Sequence, residues 1–181
     1  MAANLVDMAT EAHEVVPGLS AVATHTASAF DPAVSWQDLD WLHEQCPIPL
    51  VVKGILDPRD ARRAVDAGAA GVVVSNHGGR QFDGAPASID ALGPIVDAVG
   101  NDCAVVLDSG VRSGGDVVKA LALGASAVLV GRPLLWALAV DAADEALRLL
   151  HQEVRDAMLL AGCADVAAVA ELTTGRVGWP T

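Results

Sequence analysis

Tyrosine is absent from this 181-residue chain, and the remaining aromatics are four Trp and two Phe. Any core must therefore be filled by aliphatic side chains. Hydrophobic residues make up 52% of the sequence, and the excess is Ala and Val. Small and β-branched residues of this kind suit helices packed tightly on a buried parallel sheet. Positive charge is also scarce, with 11 Lys and Arg against 23 Asp and Glu and a net charge of -12. No basic stripe is available to neutralise phosphates, which argues against a nucleic-acid partner. Cysteine is limited to Cys46, Cys103 and Cys163, an odd number without a C-x-x-C pair. That pattern predicts reduced thiols in a cytoplasmic protein, and no metal site is expected. No apolar run reaches the roughly 18 residues of a membrane span, and no leader-like segment opens the chain, so neither insertion nor secretion is expected.

What is present is a regular alternation that begins at Pro49. Before it, residues 1–34 show weak periodicity, with turn signals at Pro17-Gly18 and Asp31-Pro32. They read as a long loop of the kind that often serves a functional site. His13 and His25 lack clustered partners and read as surface residues. Ser35 then caps a helix through Trp36, Leu39 and Leu42, with His43 exposed at its end. Strands are expected at residues 50–52, 72–74, 104–107 and 127–130. Between them, one helix opens at Asp57-Pro58 and stops at Gly68, a second covers 89–99, and a third covers 115–123 and stops at Gly124. A long amphipathic helix follows, with Leu147, Leu150, Val154, Met158 and Ala161 on one face, and a helical turn near 166–172. The three Trp side chains at 36, 41 and 136 read as packing residues rather than stacking platforms.

Strand followed by helix, four times over, predicts an α/β fold with a parallel sheet. A repeat sharpens this. Shifted by 56 residues, Val51, Gly54, Asp60, Ala64, Gly68, Ala69, Val72 and Val74 fall on Leu107, Gly110, Asp116, Ala120, Gly124, Ala125, Val128 and Val130. Repetition of such a unit is what a (β/α)₈ barrel shows, but closure of that barrel needs eight strands. Residues 35–181 therefore read as half of a barrel, about strands 5–8 with their helices.

Every strand ends in polar or charged residues. The first offers Lys53-Gly54, and the second Ser75-Asn76-His77-Gly78-Gly79-Arg80-Gln81. The third offers Asp108-Ser109-Gly110-Val111-Arg112-Ser113-Gly114-Gly115, and the fourth Gly131-Arg132-Pro133. In barrels, catalytic groups sit at this end of the strands. A His can accept a proton near neutral pH, and an Arg can grip a carboxylate through two parallel hydrogen bonds. A lone His or Arg after a strand is usually a satisfied loop residue, but together they suit chemistry beside the carboxylate of a small acid. Lys53 either pairs with Asp108 or stands as a fixed cation beside a cofactor. Ser113-Gly114-Gly115 alone is a tight turn; with Gly131-Arg132 it reads as a phosphate site at a helix N-terminus.

In their order and spacing these four segments resemble the C-terminal half of the FMN-dependent α-hydroxy-acid oxidase/dehydrogenase family, which includes glycolate, lactate and mandelate oxidases. Within it the chain is most similar to the mandelate and 4-hydroxymandelate oxidases. The resemblance implies a TIM barrel, FMN as cofactor, and oxidation of a small 2-hydroxy acid to the 2-keto acid. It implies that His77 is the base and also touches the flavin, and that Arg80 holds the substrate carboxylate. It further implies Lys53 and Ser75 at the flavin's pyrimidine edge, Asp108, Gly110 and Arg112 at the ribityl and phosphate, and Gly131 and Arg132 at the phosphate. The first four strands of the family, with its active-site tyrosines and the aspartate that orients the histidine, have no counterpart here. Ser109 replaces the Gly of many members. The implied partners are the N-terminal half of the same barrel and further copies in a homo-oligomer, and negligible turnover is expected of the chain alone. A second reading is a non-catalytic half-barrel that self-associates or pairs with a partner, as its open apolar edge would demand.

Overall fold

A computed structural model describes residue 31 and residues 33–175. The loop expected over 1–34, with His13 and His25, lies almost wholly outside these residues. The chain divides into two units, Met1–Asp38 and Leu39–Thr181. Ser35 opens helix α1 (Trp36–Gln45) in an unexpected way. Its amide and hydroxyl both donate to the Asp38 carboxylate, at 2.6 and 2.8 Å. This is the half of a capping box in which the acid at the third helical position reaches back.

The second unit carries the sheet. Its elements run β1 (Val51–Ile55), α2 (Pro58–Asp66), β2 (Gly71–Val74), α3 (Ser88–Val99), β3 (Ala104–Leu107), α4 (Gly114–Ala122), β4 (Ala127–Val128), α5 (Arg132–Leu138), α6 (Ala143–Leu160) and α7 (Val166–Val169). All strand pairs are parallel, in the order β1-β2-β3-β4. β4 is two residues shorter than expected, although Leu129 N still donates to Leu107 O at 2.9 Å. Helix α5 is not among the expected elements; Gly131 stands at its N-cap, and Pro133 sits in its first turn, where a fixed φ is already suitable.

Register explains which face is which. Val52, Val72 and Val105 form one row, and Ile55, Val74, Leu107 and Val128 another. Of these, Ile55, Val72, Val74, Val105 and Leu107 are buried, under Ala61 and Ala64 of α2, Leu92 and Ile95 of α3, and Ala120 of α4. The alternate rows, Val51-Gly71-Ala104 and Lys53-Val73-Val106-Ala127, point to the opposite face. Apart from Lys53 that face is apolar, and it is partly open: Val51 is 56% and Leu129 47% exposed. Both outer edges, on β1 and β4, lack a partner among the described residues.

The 56-residue repeat holds in three dimensions from the helix onward. Shifted α2 (Pro58–Asp66) coincides with α4 (Gly114–Ala122). Both helices end on a glycine with positive φ, Gly68 at +87° and Gly124 at +95°. Ala69 N donates to Ala64 O, and Ala125 N to Ala120 O, each at 3.0 Å. Over the first strand the repeat fails, since the shift places β1 on 107–111 while β3 ends at Leu107. Gly54 (φ +100°) makes an irregularity inside β1, whereas its counterpart Gly110 (φ +82°) lies beyond β3.

The stripe on α6 holds at Leu150, Val154 and Met158 and differs from expectation at its two ends. Leu147 and Ala161 are exposed, and Ala146, Leu150, Val154 and Met158 form the half-buried line. A small residue, Ala146, opens that line in place of Leu147. Neither Trp41 nor Trp136 packs in the core; both are exposed.

Candidate active site at the strand ends

Lys53 settles the first question at this end of the sheet. Its Nζ donates to Ser75 Oγ at 2.7 Å and also pairs with the Asp108 carboxylate. One cation thus ties together the ends of β1, β2 and β3. Burial pushes the Asp108 carboxyl up, but hydrogen bonds from Lys53, Ser75 and Ser109, with the Lys53 charge, outweigh it and hold the group below its ordinary value. A carboxyl lowered in this way contributes stability above its unfolded value of about 3.9 and loses it as pH falls through the lowered one. Lys53→Met removes the largest opposing partner. We expect the Asp108 carboxyl, followed by NMR titration, to move upward in that variant; an unchanged value would show that the two serines alone set it.

The loop after β2 is built by Asn76. Its Oδ1 accepts from Gly78 N at 3.1 Å and Gly79 N at 3.2 Å, while its Nδ2 donates to Pro86 O at 3.2 Å. This side-chain-made turn places His77 at φ +55°, a conformation rare outside glycine and asparagine. The imidazole lies over Gly54, where a Cβ would come within 2.8 Å of Nε2. Glycine at 54 therefore serves both the strand irregularity and the seat of the ring. His77 and Arg80 are exposed at the two ends of the short 3₁₀ turn His77–Gly79, and neither side chain hydrogen-bonds a described residue. Both remain available to a ligand.

The third and fourth strand ends supply donors. A Cβ added at Gly110 or Gly131 would meet nothing within 4 Å, so both backbones face open space. The Arg112 guanidinium sits 5.4 Å from the centre of the Trp136 ring, a cation–π contact, and Nη1 donates to Val111 O at 2.7 Å. Arg132 Nη2 donates to Gly78 O at 2.9 Å, which joins the fourth strand end to the His77 loop. Open glycine backbone beside two guanidiniums is a donor set that fits a phosphate. A pocket of about 450 Å³ beneath these loops is lined in part by Gly78, Ser109, Gly110 and Arg132.

Ser113-Gly114-Gly115 does not join this set. Ser113 Oγ accepts from Asp116 N, Asp116 Oδ2 accepts from the amides of Arg112 and Ser113, and Glu153 Oε2 accepts from Gly114 N at 2.7 Å. The start of α4 is closed by the chain's own carboxylates, so the tight-turn reading of that segment is the right one. Asn76, Gly54 and Ser109 are the contributors that sequence reasoning left without a role. Asn two residues before Gly-Gly is a turn signal that could have identified the first.

The sequence profile of the FMN-dependent dehydrogenases matches residues 2–175. The chain belongs to that family. It is 57% identical over 176 residues to 4-hydroxymandelate oxidase of Amycolatopsis orientalis, covering 96% of this chain and 49% of that protein. It is 50% identical over 153 residues to 2-hydroxyacid oxidase 1 of Homo sapiens, covering 83% and 41%. A solved structure of mandelate oxidase with (S)-4-hydroxymandelic acid superposes with a TM-score of 0.85 at 56% identity, over 92% of this chain and 48% of that one. The chain thus spans about half the length of the curated relatives it matches. Within the family frame, the parallel sheet and its helices are part of a TIM barrel.

Proposed function

We propose that this chain is the FMN-binding C-terminal half of a 2-hydroxy-acid oxidase acting on a substrate of the mandelate or 4-hydroxymandelate type. The observation that carries the reading is the turn after β2, which presents His77 and Arg80 with uncommitted side chains beside the Lys53 cluster. Arg80 holds the substrate carboxylate through its guanidinium fork. His77 takes a proton from the substrate as the hydroxy acid becomes the keto acid. When bound, FMN supplies the redox chemistry by accepting the electron pair. Lys53 and Ser75, with His77 nearby, would hold its pyrimidine edge, where the lysine charge would favour an electron-rich ring. Asp108, Gly110 and Arg112 would hold the ribityl chain and phosphate, and Gly131 and Arg132 would complete the phosphate grip.

The same reading has the rest of the barrel supplied by an N-terminal half, in a homo-oligomer, in the cytoplasm. The open edges of β1 and β4 and the exposed Val51 and Leu129 support a covering partner. They also favour the second reading, a non-catalytic half-barrel closed by self-association. The visible spectrum separates the two. The chain is mixed with FMN and with the N-terminal half of the Amycolatopsis orientalis relative, then passed through a sizing column. A yellow complex of both halves that mandelate bleaches supports the oxidase, with negligible turnover from the chain alone. A colourless self-associated species from that mixture would establish the half-barrel reading instead.

A further inference from the structure

Ser109 sits at φ +71°, a conformation that glycine adopts freely and serine does not. A strained residue beside a site invites the question of what its side chain does there. Ser109 Oγ donates to Asp108 Oδ1 at 2.7 Å and accepts from Gly78 N at 3.0 Å. Ser75, at the end of the neighbouring strand, has a related arrangement. It is fully buried, and its Oγ accepts from His77 N at 3.1 Å and from Lys53 Nζ at 2.7 Å. Two hydroxyls from two strand ends thus take two consecutive amides of the loop, Ser109 joining its amide to the Asp108 carboxylate directly and Ser75 joining its amide to that carboxylate's partner Lys53. That carboxylate is itself held by Lys53, and its backbone is anchored from below by the buried Ser88, whose Oγ donates to Asp108 O.

We propose that Ser109 is a positioning residue for the loop that carries His77: it clasps the Gly78 amide to Asp108, while Ser75 holds the His77 amide beside Lys53. A glycine here would relieve the backbone and free the Gly78 end of the loop. Asn76 Oδ1 also accepts from Gly78 N, at 3.1 Å, so the loop would loosen rather than melt. The clasp gives Asp108 a task toward the loop in addition to any ribityl contact. This inference rests on the reading of His77 as base.

Amide hydrogen exchange on the full chain, followed by NMR, tests it without turnover. Ser109→Gly should speed exchange at Gly78 about tenfold, the size one hydrogen bond allows, and leave His77 within about twofold. Ser75→Ala should do the reverse. Ser109→Ala, which keeps the backbone strain, should match Ser109→Gly at Gly78 even if its overall stability drops. A purely structural Ser109 would instead loosen both amides together with β2 and β3, or neither. Gly78 exchange in Ser109→Gly within about twofold of wild type would overturn the clasp. Turnover of His77→Asn in the flavin-loaded two-half complex reads the base separately. Full activity there, with Gly78 still loosened by Ser109→Gly, would remove the base and leave the clasp supported.

Discussion

Gly114→Ala should cost this chain about 3 kcal/mol or more, the upper range for overpacking. The residue opens α4 where that helix meets α6. A Cβ at 114 would lie 2.2 Å from Val154 N and 2.3 Å from Glu153 C. These are backbone atoms of the middle of an 18-residue helix, so no rotamer change can make room. Either α4 or α6 must move by more than an ångström. Movement would also lengthen the bond from Gly114 N to Glu153 Oε2, now 2.7 Å, and leave the helix start with a donor short of its acceptor. Gly115→Ala is the matched control. Its Cβ would meet nothing closer than Ser113 Oγ at 3.7 Å, and alanine is the better helix former. Urea unfolding should show the first variant with a much lower midpoint and the second at or above wild type. Equal midpoints would mean that α6 is not held against α4 in solution.

That contact marks where sequence reading ended. The apolar runs at 72–74 and 104–107, and the Asp57-Pro58 helix start, were legible because period, caps and glycine stops agreed. The repeat was legible because Gly68 and Gly124 need a conformation other residues avoid. A lysine at the end of a buried strand signals a partner or a task, and Lys53 finds its partner in Asp108. By contrast, the Ser-Gly-Gly run reads as an anion cradle only because Gly131-Arg132 stands at the next strand end. Its actual occupant, Glu153, lies 39 residues away on another helix, and no local pattern announces that distance. Ser109 was unreadable for a related reason. A serine gives no hint that its backbone will turn left-handed, and only the three-dimensional neighbours Asp108 and Gly78 justify it. Trp136 was misread because a tryptophan usually earns its place by packing, while here its face carries the Arg112 guanidinium.

His77→Asn should lower turnover of the flavin-loaded two-half complex by about 10²- to 10⁴-fold, the contribution typical of a positioned base. Asparagine is the informative replacement on structural grounds. At φ +55° an alanine would add backbone strain to the loss of the ring, whereas asparagine tolerates this conformation well. The His77 amide would still donate to Ser75 Oγ, and Asn76 would still hold the turn. What the substitution removes is a group able to hold a proton over Gly54. The substrate carboxylate is assigned to Arg80, three residues on, so KM for the hydroxy acid should change far less than kcat. Flavin retention should also survive, because Lys53, Asp108, Arg112 and Arg132 are untouched. Loss confined to kcat identifies His77 as the base. A KM effect with kcat nearly intact would make it a substrate contact instead, and proton transfer would then fall to a residue of the other half of the barrel.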